Sequence, residues 1–249
     1  MQWPIRRACS GSSTSPRAAP PGRRQHERPP PGRPKGGAAN RRSRAAADRH
    51  HPLPWAGGWG EGSSVSGRVA VPLPKAYLLL NHGPTVLVSS AHGDRRNVMA
   101  AAWNMALDFD PPKVAVVIDK STLTRELVEA SGEFVLNVPS RRIAALTLAV
   151  GSESGRGIDK ISKVGAGSTA AAVVKAPLID DCLAWLECRV IPEPHIQKSY
   201  DLFFGEVVAA WADPEVFANG RWHFPDAQRR SIHYQAGGNF FATGEPFDA

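Results

Sequence analysis

Thr85-Val86-Leu87-Val88-Ser89-Ser90-Ala91-His92-Gly93-Asp94, followed closely by Asn97-Val98-Met99-Ala100-Ala101-Ala102-Trp103-Asn104-Met105, is the stretch on which the fold turns. Its first half is rich in strand formers, His92-Gly93-Asp94 ends it, and Asn97 to Trp103 can return as an antiparallel partner. Outward from this hairpin, Val114-Ala115-Val116-Val117-Ile118 is a short apolar run entered from the rigid Pro111-Pro112 corner, as a buried strand would be. Ser121 or Thr122 then caps a helix with Leu123, Leu127 and Ala130 on one face, and Gly132 stands where a C-terminal cap belongs. Phe134 to Val138 is again strand, and Ser140 can cap a second helix with Ile143, Leu146 and Val150 inward. Further strands are expected at 182–191 and 202–211. Many strands with few helices between them predict a mainly β fold with flanking helices, an antiparallel barrel rather than a doubly wound parallel sheet.

Composition divides the chain in two. It carries 30 Lys and Arg against 23 Asp and Glu, yet residues 1–70 hold 13 of the bases and three of the acids, Glu27, Asp48 and Glu61. Residues 71–249 are therefore slightly acidic, at −3 against +10 for the leader. The leader also has ten Pro and ten Gly and almost no aliphatic residues before Val65. It cannot bury enough apolar surface to offset the entropy of ordering, which predicts a disordered segment at 1–70 and one domain at 71–249. Arg41-Arg42-Ser43-Arg44 suits phosphate contacts, but basic low-complexity arms are usually solvated chain, so nucleic acid is not the expected partner. The leader's arginines fit an organelle transit peptide and its prolines oppose one. Sequence upstream of the true start is a second account of it.

No apolar run approaches the roughly 18 residues of a membrane span, and none follows the early arginines as in a secretory signal. Cys182 and Cys188 fall in Cys182-Leu183-Ala184-Trp185-Leu186-Glu187-Cys188-Arg189-Val190. As a strand, this run places both thiols, Ala184, Leu186 and Val190 on one apolar face, with Glu187 and Arg189 on the other. Two cysteines so far apart on one strand cannot bridge, so both are expected to be reduced core residues, and a cytoplasmic setting follows. There is no Gly-x-Gly-x-x-Gly fingerprint, Walker loop or Gly-x-Ser-x-Gly elbow. His82 and His92 read as loop residues, without a companion at metal spacing, and no metal site is expected.

The chemistry gathers around one predicted helix start. Unpaired amides there make an anion site, and Lys120, Ser121, Thr122, Thr124 and Arg125 surround it, so a phosphate monoester suits it. Ordinary helix capping accounts equally for the hydroxyls. Trp103, at the end of an alanine run, offers apolar contact and one N–H donor to a planar ligand that Ala101 and Ala102 let approach the backbone; a core indole is the other account. Asn97 and Asn104 bracket that run with amides able to pair with a ring of donors and acceptors. Lys160, after Ser154-Gly155-Arg156-Gly157, either brings a cation to such a ligand or pairs with Asp159 or water.

In this order and spacing, with the closing Gly237-Gly238-Asn239-Phe240, the motifs resemble the flavin reductase-like family and its FMN-binding split barrel, most closely the flavoredoxin-type branch. The resemblance spans about Pro72 to Phe247. It implies an antiparallel split β-barrel, a homodimer, and FMN near the subunit interface. It implies Asn97 and Trp103 on the flavin-contacting strand, with Ala101, Ala102 and Asn104 beside the isoalloxazine. Ser121, Thr122 and Thr124 match the phosphate segment, Asn137 ends the next strand in a structural or ligand-contacting role, and Lys160 matches an Asp-Lys pair near the cofactor. Relatives often carry a His ahead of the Gly-Glu-Val strand. Here Lys198-Ser199-Tyr200-Asp201 precedes Gly205, and Tyr200 stands in as a hydrogen-bonding ring.

The implied activity is NAD(P)H-dependent flavin reduction, with hydride passing from NADH or NADPH to flavin N5 and no catalytic side chain required. The alternative is a non-catalytic FMN electron carrier serving a redox protein partner.

Overall fold

A computed structural model describes residues 67–248. The expectation of disorder for the leader falls, for residues 1–66, outside the described residues. In chain order the elements are β1 (Val69–Ala70), a 3-10 helix (Leu73–Leu79), β2 (Val86–His92), β3 (Arg95–Ala101), β4 (Asn104–Phe109), β5 (Pro112–Val117), α1 (Leu123–Ser131) and β6 (Glu133–Pro139). A 3-10 turn (Arg141–Ile143) leads to α2 (Ala144–Ser152), α3 (Lys160–Lys163), β7 (Ser168–Thr169), β8 (Leu178–Ile179), β9 (Cys182–Ile191), α4 (Pro194–Tyr200) and β10 (Leu202–Ala212). Two antiparallel pairs finish the chain: β11 (Phe217–Ala218) with β12 (Arg221–Trp222), and β13 (Ile232–Ala236) with β14 (Asn239–Ala242).

The main sheet is antiparallel, in the order β3-β2-β6-β9-β10-β5-β4, with β1 added to β10. Its two end strands, β3 and β4, are neighbours in sequence, joined by Ala102 and Trp103. The barrel is therefore not closed by a ladder between them. The β4–β5 ladder runs on into the linker, where the Val117 amide donates to the Trp103 carbonyl at 3.0 Å.

Strand alternation builds two apolar layers. Val86 and Val88 of β2, Met99 and Ala101 of β3, Phe134, Leu136 and Val138 of β6, and Phe203 and Val207 of β10 fill the interior. Leu79 of the first 3-10 helix and Val128 of α1 join that layer. The alternate residues Leu87, Val98 and Val135 face outward and are covered by Ile143, Val150 and Ile161. Packing inside is tight enough to require a glycine: a Cβ on Gly205 would lie 2.6 Å from the ring of the fully buried Phe134.

Thr122 caps α1, accepting the Arg125 amide, and Gly132 ends it at φ 71. Only a residue at ease in the left-handed region fits there. Ser140 precedes the second helix without a capping bond, and Thr147 is buried more completely than Leu146. Cys182 and Cys188 are free and buried, and burial raises both thiols. Their common face needs correction. Cys188 belongs to the interior and Cys182 to the outer layer, because the β6–β9 register shifts between Val138 and Pro139. Glu187, assigned by alternation to a polar face, is wholly buried under the outer layer. No helix among the described residues is long and apolar enough to cross a membrane.

Candidate functional site

β3 is an end strand, so one of its backbone edges faces a groove rather than a neighbouring strand. Three recesses lie along that edge, and all use residues between Asn97 and Trp103.

The first recess lies where α1 begins. Asn97 and Thr124 are both buried, and the Asn97 amide nitrogen donates to Thr124 Oγ1 at 2.9 Å. Asn97 Oδ1 is left without a partner. Opposite it stands Gly155, where a Cβ would fall 2.2 Å from Asn97 Oδ1, so the glycine loop lets the two segments close on each other. Lys160 enters from the first turn of α3. Its Nζ donates to the carbonyls of Val98 at 3.1 Å and Val150 at 2.8 Å. Burial lowers its pKa to about 8, against a smaller upward pull from Glu153. An ammonium has three donors and two are used.

Ser121 and Thr122 shape the loop before α1. Ser121 gives both its amide and hydroxyl to Asp119 Oδ1, at 2.8 and 2.6 Å. Thr122 Oγ1 donates to the Asp119 carbonyl at 2.8 Å and accepts the Arg125 amide. The two bonds from Ser121, the hydroxyl's foremost, hold the Asp119 carboxyl below its usual range. Capping is thus a real job of the Thr122 hydroxyl, whereas the Ser121 hydroxyl is held by Asp119.

Arg125, expected at the anion site, points away from it. Its guanidinium is buried against the Ile118 carbonyl, Asp201 and the Gln197 carbonyl, over the Phe203 ring at 4.6 Å. It ties α1 to α4 and β10, which is where its position one residue beyond the β3-facing Thr124 directs it. Arg156 takes the place near the helix start, donating to the Ser121 carbonyl at 3.1 Å and pairing with Glu126 at 2.5 Å. Its Gly-Arg-Gly setting was visible in the sequence, but only the fold brings that loop beside α1.

The second recess is lined by Ala101, Ala102, Trp103, Val117 and Asp119. Trp103 is 56% exposed, so it is not the core indole that a lone Trp usually is. Asn104 donates to the Pro84 carbonyl at 2.9 Å and leaves its Oδ1 buried without a partner. The third recess, beyond Ala100 and Ala102, is walled by α2 and the β13–β14 hairpin.

Two of the sequence-derived candidates stand apart from this groove. Asn137 lies on β6, with β2 between it and β3. Its amide donates to Leu87 O, Ser89 Oγ and Val135 O and accepts from the Ile179 amide, so its side chain is fully engaged in structure. Tyr200 ends α4, is 68% exposed, meets His195 edge-on at 6.5 Å, and lines none of the three recesses. His82 is a half-buried turn residue as expected, whereas His92 is the last residue of β2 rather than a loop residue. No cluster of metal-ligating side chains occurs among the described residues.

An unpartnered buried acceptor, an incompletely used buried ammonium and a helix start all converge on one edge strand. Residues 79–231 match the family model described as a flavin reductase like domain. The chain belongs to the flavin reductase-like family. It is 46% identical over 180 residues to the uncharacterized protein YddH of Escherichia coli K12, covering 71% of this chain and 95% of that one. It is 52% identical to the FMN-binding domain of a flavin reductases-like enzyme from Shewanella baltica OS155. That structure superposes with a TM-score of 0.71, covering 73% of this chain and 97% of the other. Flavoredoxin of Desulfovibrio vulgaris (Miyazaki F) is 25% identical, with a TM-score of 0.59 over 67% of this chain and 90% of its own.

Proposed function

We propose that this protein binds FMN along the free edge of β3 and acts as an NAD(P)H-dependent flavin oxidoreductase. The observation that carries the reading is the knot of Asn97, Thr124 and Lys160, which leaves Asn97 Oδ1 and one Lys160 N–H unused beside the start of α1. Amides of the first turn of α1, with Ser121, Thr122 and Thr124, would hold the phosphate, and Arg156 adds a cation at the mouth. Ala101, Ala102, Trp103 and Asn104 would flank the ring system. FMN held there would supply the redox chemistry, hydride acceptance from NADH or NADPH and onward electron transfer. The chain's own work is to orient the ring, exclude water from one face and keep the Lys160 cation nearby. Asn137 supports the strands behind the site, and Tyr200 is left to contacts outside the groove.

The same site serves a carrier. Likeness to a flavoredoxin favours a second reading, in which FMN stays bound and a redox protein, rather than a nicotinamide, exchanges electrons with it. We further propose a homodimer. Trp103, Met105, Leu107 and Phe109 project from one face of the linker and β4, each between 44 and 63% exposed, and a second copy would cover that stripe. Equilibrium sedimentation of Phe109→Asp against the parent checks this: a dimer unchanged by the charge would remove the stripe from consideration.

The absorbance spectrum of the purified protein tests the flavin reading. Uptake of FMN with flavin bands that are lost in Thr124→Ala and altered in Trp103→Ala is expected. A folded protein that takes up no FMN overturns the reading. Oxidation of NADH or NADPH, followed with and without added free FMN, separates reductase from carrier, and no oxidation in either assay removes the reductase.

A further inference from the structure

We infer that the open end of the β13–β14 hairpin is closed by a pH-sensitive latch, a one-way chain of hydrogen bonds from His82 through Ser231 and Thr243 to His233. The latch joins the turn before β2 to both ends of the hairpin, and it is independent of what the groove along β3 binds. His82 Nε2 lies 2.9 Å from Ser231 Oγ, Ser231 Oγ 2.6 Å from Thr243 Oγ1, and Thr243 Oγ1 2.9 Å from His233 Nε2. His233 Nδ1 ends the chain, 2.9 Å from the Gly83 carbonyl. Ser231 and Thr243 flank the hairpin, and the Thr243 amide donates to the Ser231 carbonyl at 2.9 Å.

The last contact fixes the direction of all the others. A carbonyl only accepts, so His233 Nδ1 carries the hydrogen, and its neutral ring leaves Nε2 as an acceptor. Thr243 must then donate to His233, which spends its one hydrogen. Ser231 must in turn donate to Thr243, and His82 Nε2 is left as the donor to Ser231. His82 Nδ1 is therefore a bare acceptor, and that atom is buried without a partner. The two imidazoles are neutral and in opposite tautomers.

An added proton has no place in this chain. On His82 Nδ1 it makes a buried N–H with no acceptor. On His233 Nε2 it displaces the Thr243 hydrogen, and either that hydroxyl loses its acceptor or the whole chain reverses and moves a hydrogen to His82 Nδ1. Each outcome strands one donor inside the latch. Burial, and after it the nearby His233, holds His82 to about 4 against an ordinary 6.5. Trp222 meets the His82 ring edge-on at 5.0 Å and brings no charge. Arg230 donates to the Thr243 carbonyl at 2.9 Å and pairs with Glu245, and no carboxylate pairs with either imidazole among the described residues. The open latch binds more protons than the closed one between those two values, so it is closed above pH 6.5 and weakens as pH falls toward 4. The hairpin carries Tyr234 and Phe240 to the third recess, and opening at its base loosens that wall.

Nitrogen NMR of the imidazoles in the full-length protein at pH 7.5 tests the direction: His82 is expected as the Nε2–H tautomer and His233 as the Nδ1–H tautomer. Amide hydrogen exchange at Tyr234 and Thr243, corrected for the intrinsic effect of pH, measures the opening. With His82 held to about 4 when closed and returning to 6.5 when open, the opening equilibrium should rise at least about tenfold from pH 7.5 to pH 5. His82→Gln keeps a donor toward Ser231 without an imidazole to titrate, and should lose most of that rise. Thr243→Val breaks the chain and should increase opening already at pH 7.5. Thermal melting establishes that each variant folds, and if His82→Gln does not, the tautomers and pH response of the parent decide. The same tautomer at both rings, an opening in the parent that ignores pH, or the full rise persisting in folded His82→Gln overturns the latch.

Discussion

Two buried polar knots lie on either side of β2, and they differ in how completely they are satisfied. Behind the strand, Glu187 accepts the amides of Ala172, Val173 and Val174 and the Trp211 indole, at 2.6 to 3.1 Å. Asn137 beside it has both ends of its amide engaged. In front, Asn97 keeps a bare Oδ1 and Lys160 holds its charge against two carbonyls, with no carboxylate in contact. A satisfied buried knot rigidifies a fold, whereas a partly satisfied one lowers stability unless something else completes it. The contrast teaches which polar cluster is architecture and which is a site.

The largest effect should come from the satisfied knot. Glu187→Ala leaves four donors in the outer layer without their acceptor and should cost at least about 3 kcal/mol in urea unfolding. FMN affinity of the protein that remains folded should be nearly unchanged, because Glu187 lines none of the recesses along β3. A variant as stable as the parent would erase the distinction.

The unsatisfied knot should respond in the opposite sense. Replacing both partners, Asn97→Leu with Thr124→Val, removes a hydrogen-bonded pair and an orphan together, so unfolding free energy should move by no more than about 1 kcal/mol. FMN affinity should fall at least about tenfold, or ~1.4 kcal/mol, by fluorescence titration. A large loss of stability with unchanged affinity would make this knot architecture too.

The smallest effect concerns charge. Lys160 is held near 8 when folded, below its ordinary 10.5. The unfolded chain therefore binds more protons between those values, and Lys160 alone makes stability rise with pH across that window. Ligand binding should run the other way. The ammonium that attracts an anionic cofactor is lost as pH passes 8, so FMN should bind about threefold more weakly at pH 9 than at pH 7. Lys160→Met should flatten that profile, and a slope that survives the substitution would assign the titration to another group.

Local patterning revealed much of the scaffold. The β2–β3 hairpin, the apolar run of β5, the Thr122 cap, the Gly132 stop and the long strands β9 and β10 all follow from turn chemistry and periodicity acting over a few residues. β4 was not legible. Met105, Leu107 and Phe109 turn their apolar side chains outward, so alternation there does not signal a half-buried strand. The β13–β14 hairpin shows in the sequence only as Gly237-Gly238, without any sign of what it covers. The directions of Arg125 and Arg156 are not legible in the sequence, for one reason. Nearness to a helix start in sequence does not say which way a side chain leaves the helix, or which distant loop comes to meet it.

What the residues determined unaided was the set of local conformations, the two-faced strands, and the presence of a cap with hydroxyls and a cation within reach. The tertiary structure decided which buried polar groups find partners. That depends on contacts between segments far apart in the chain: Asn97 with Thr124 and Gly155, Lys160 with Val98, Glu187 with the amides of residues 172–174. Satisfaction of a hydrogen bond within about 3 Å is a property of packed geometry, and periodicity carries no information about it.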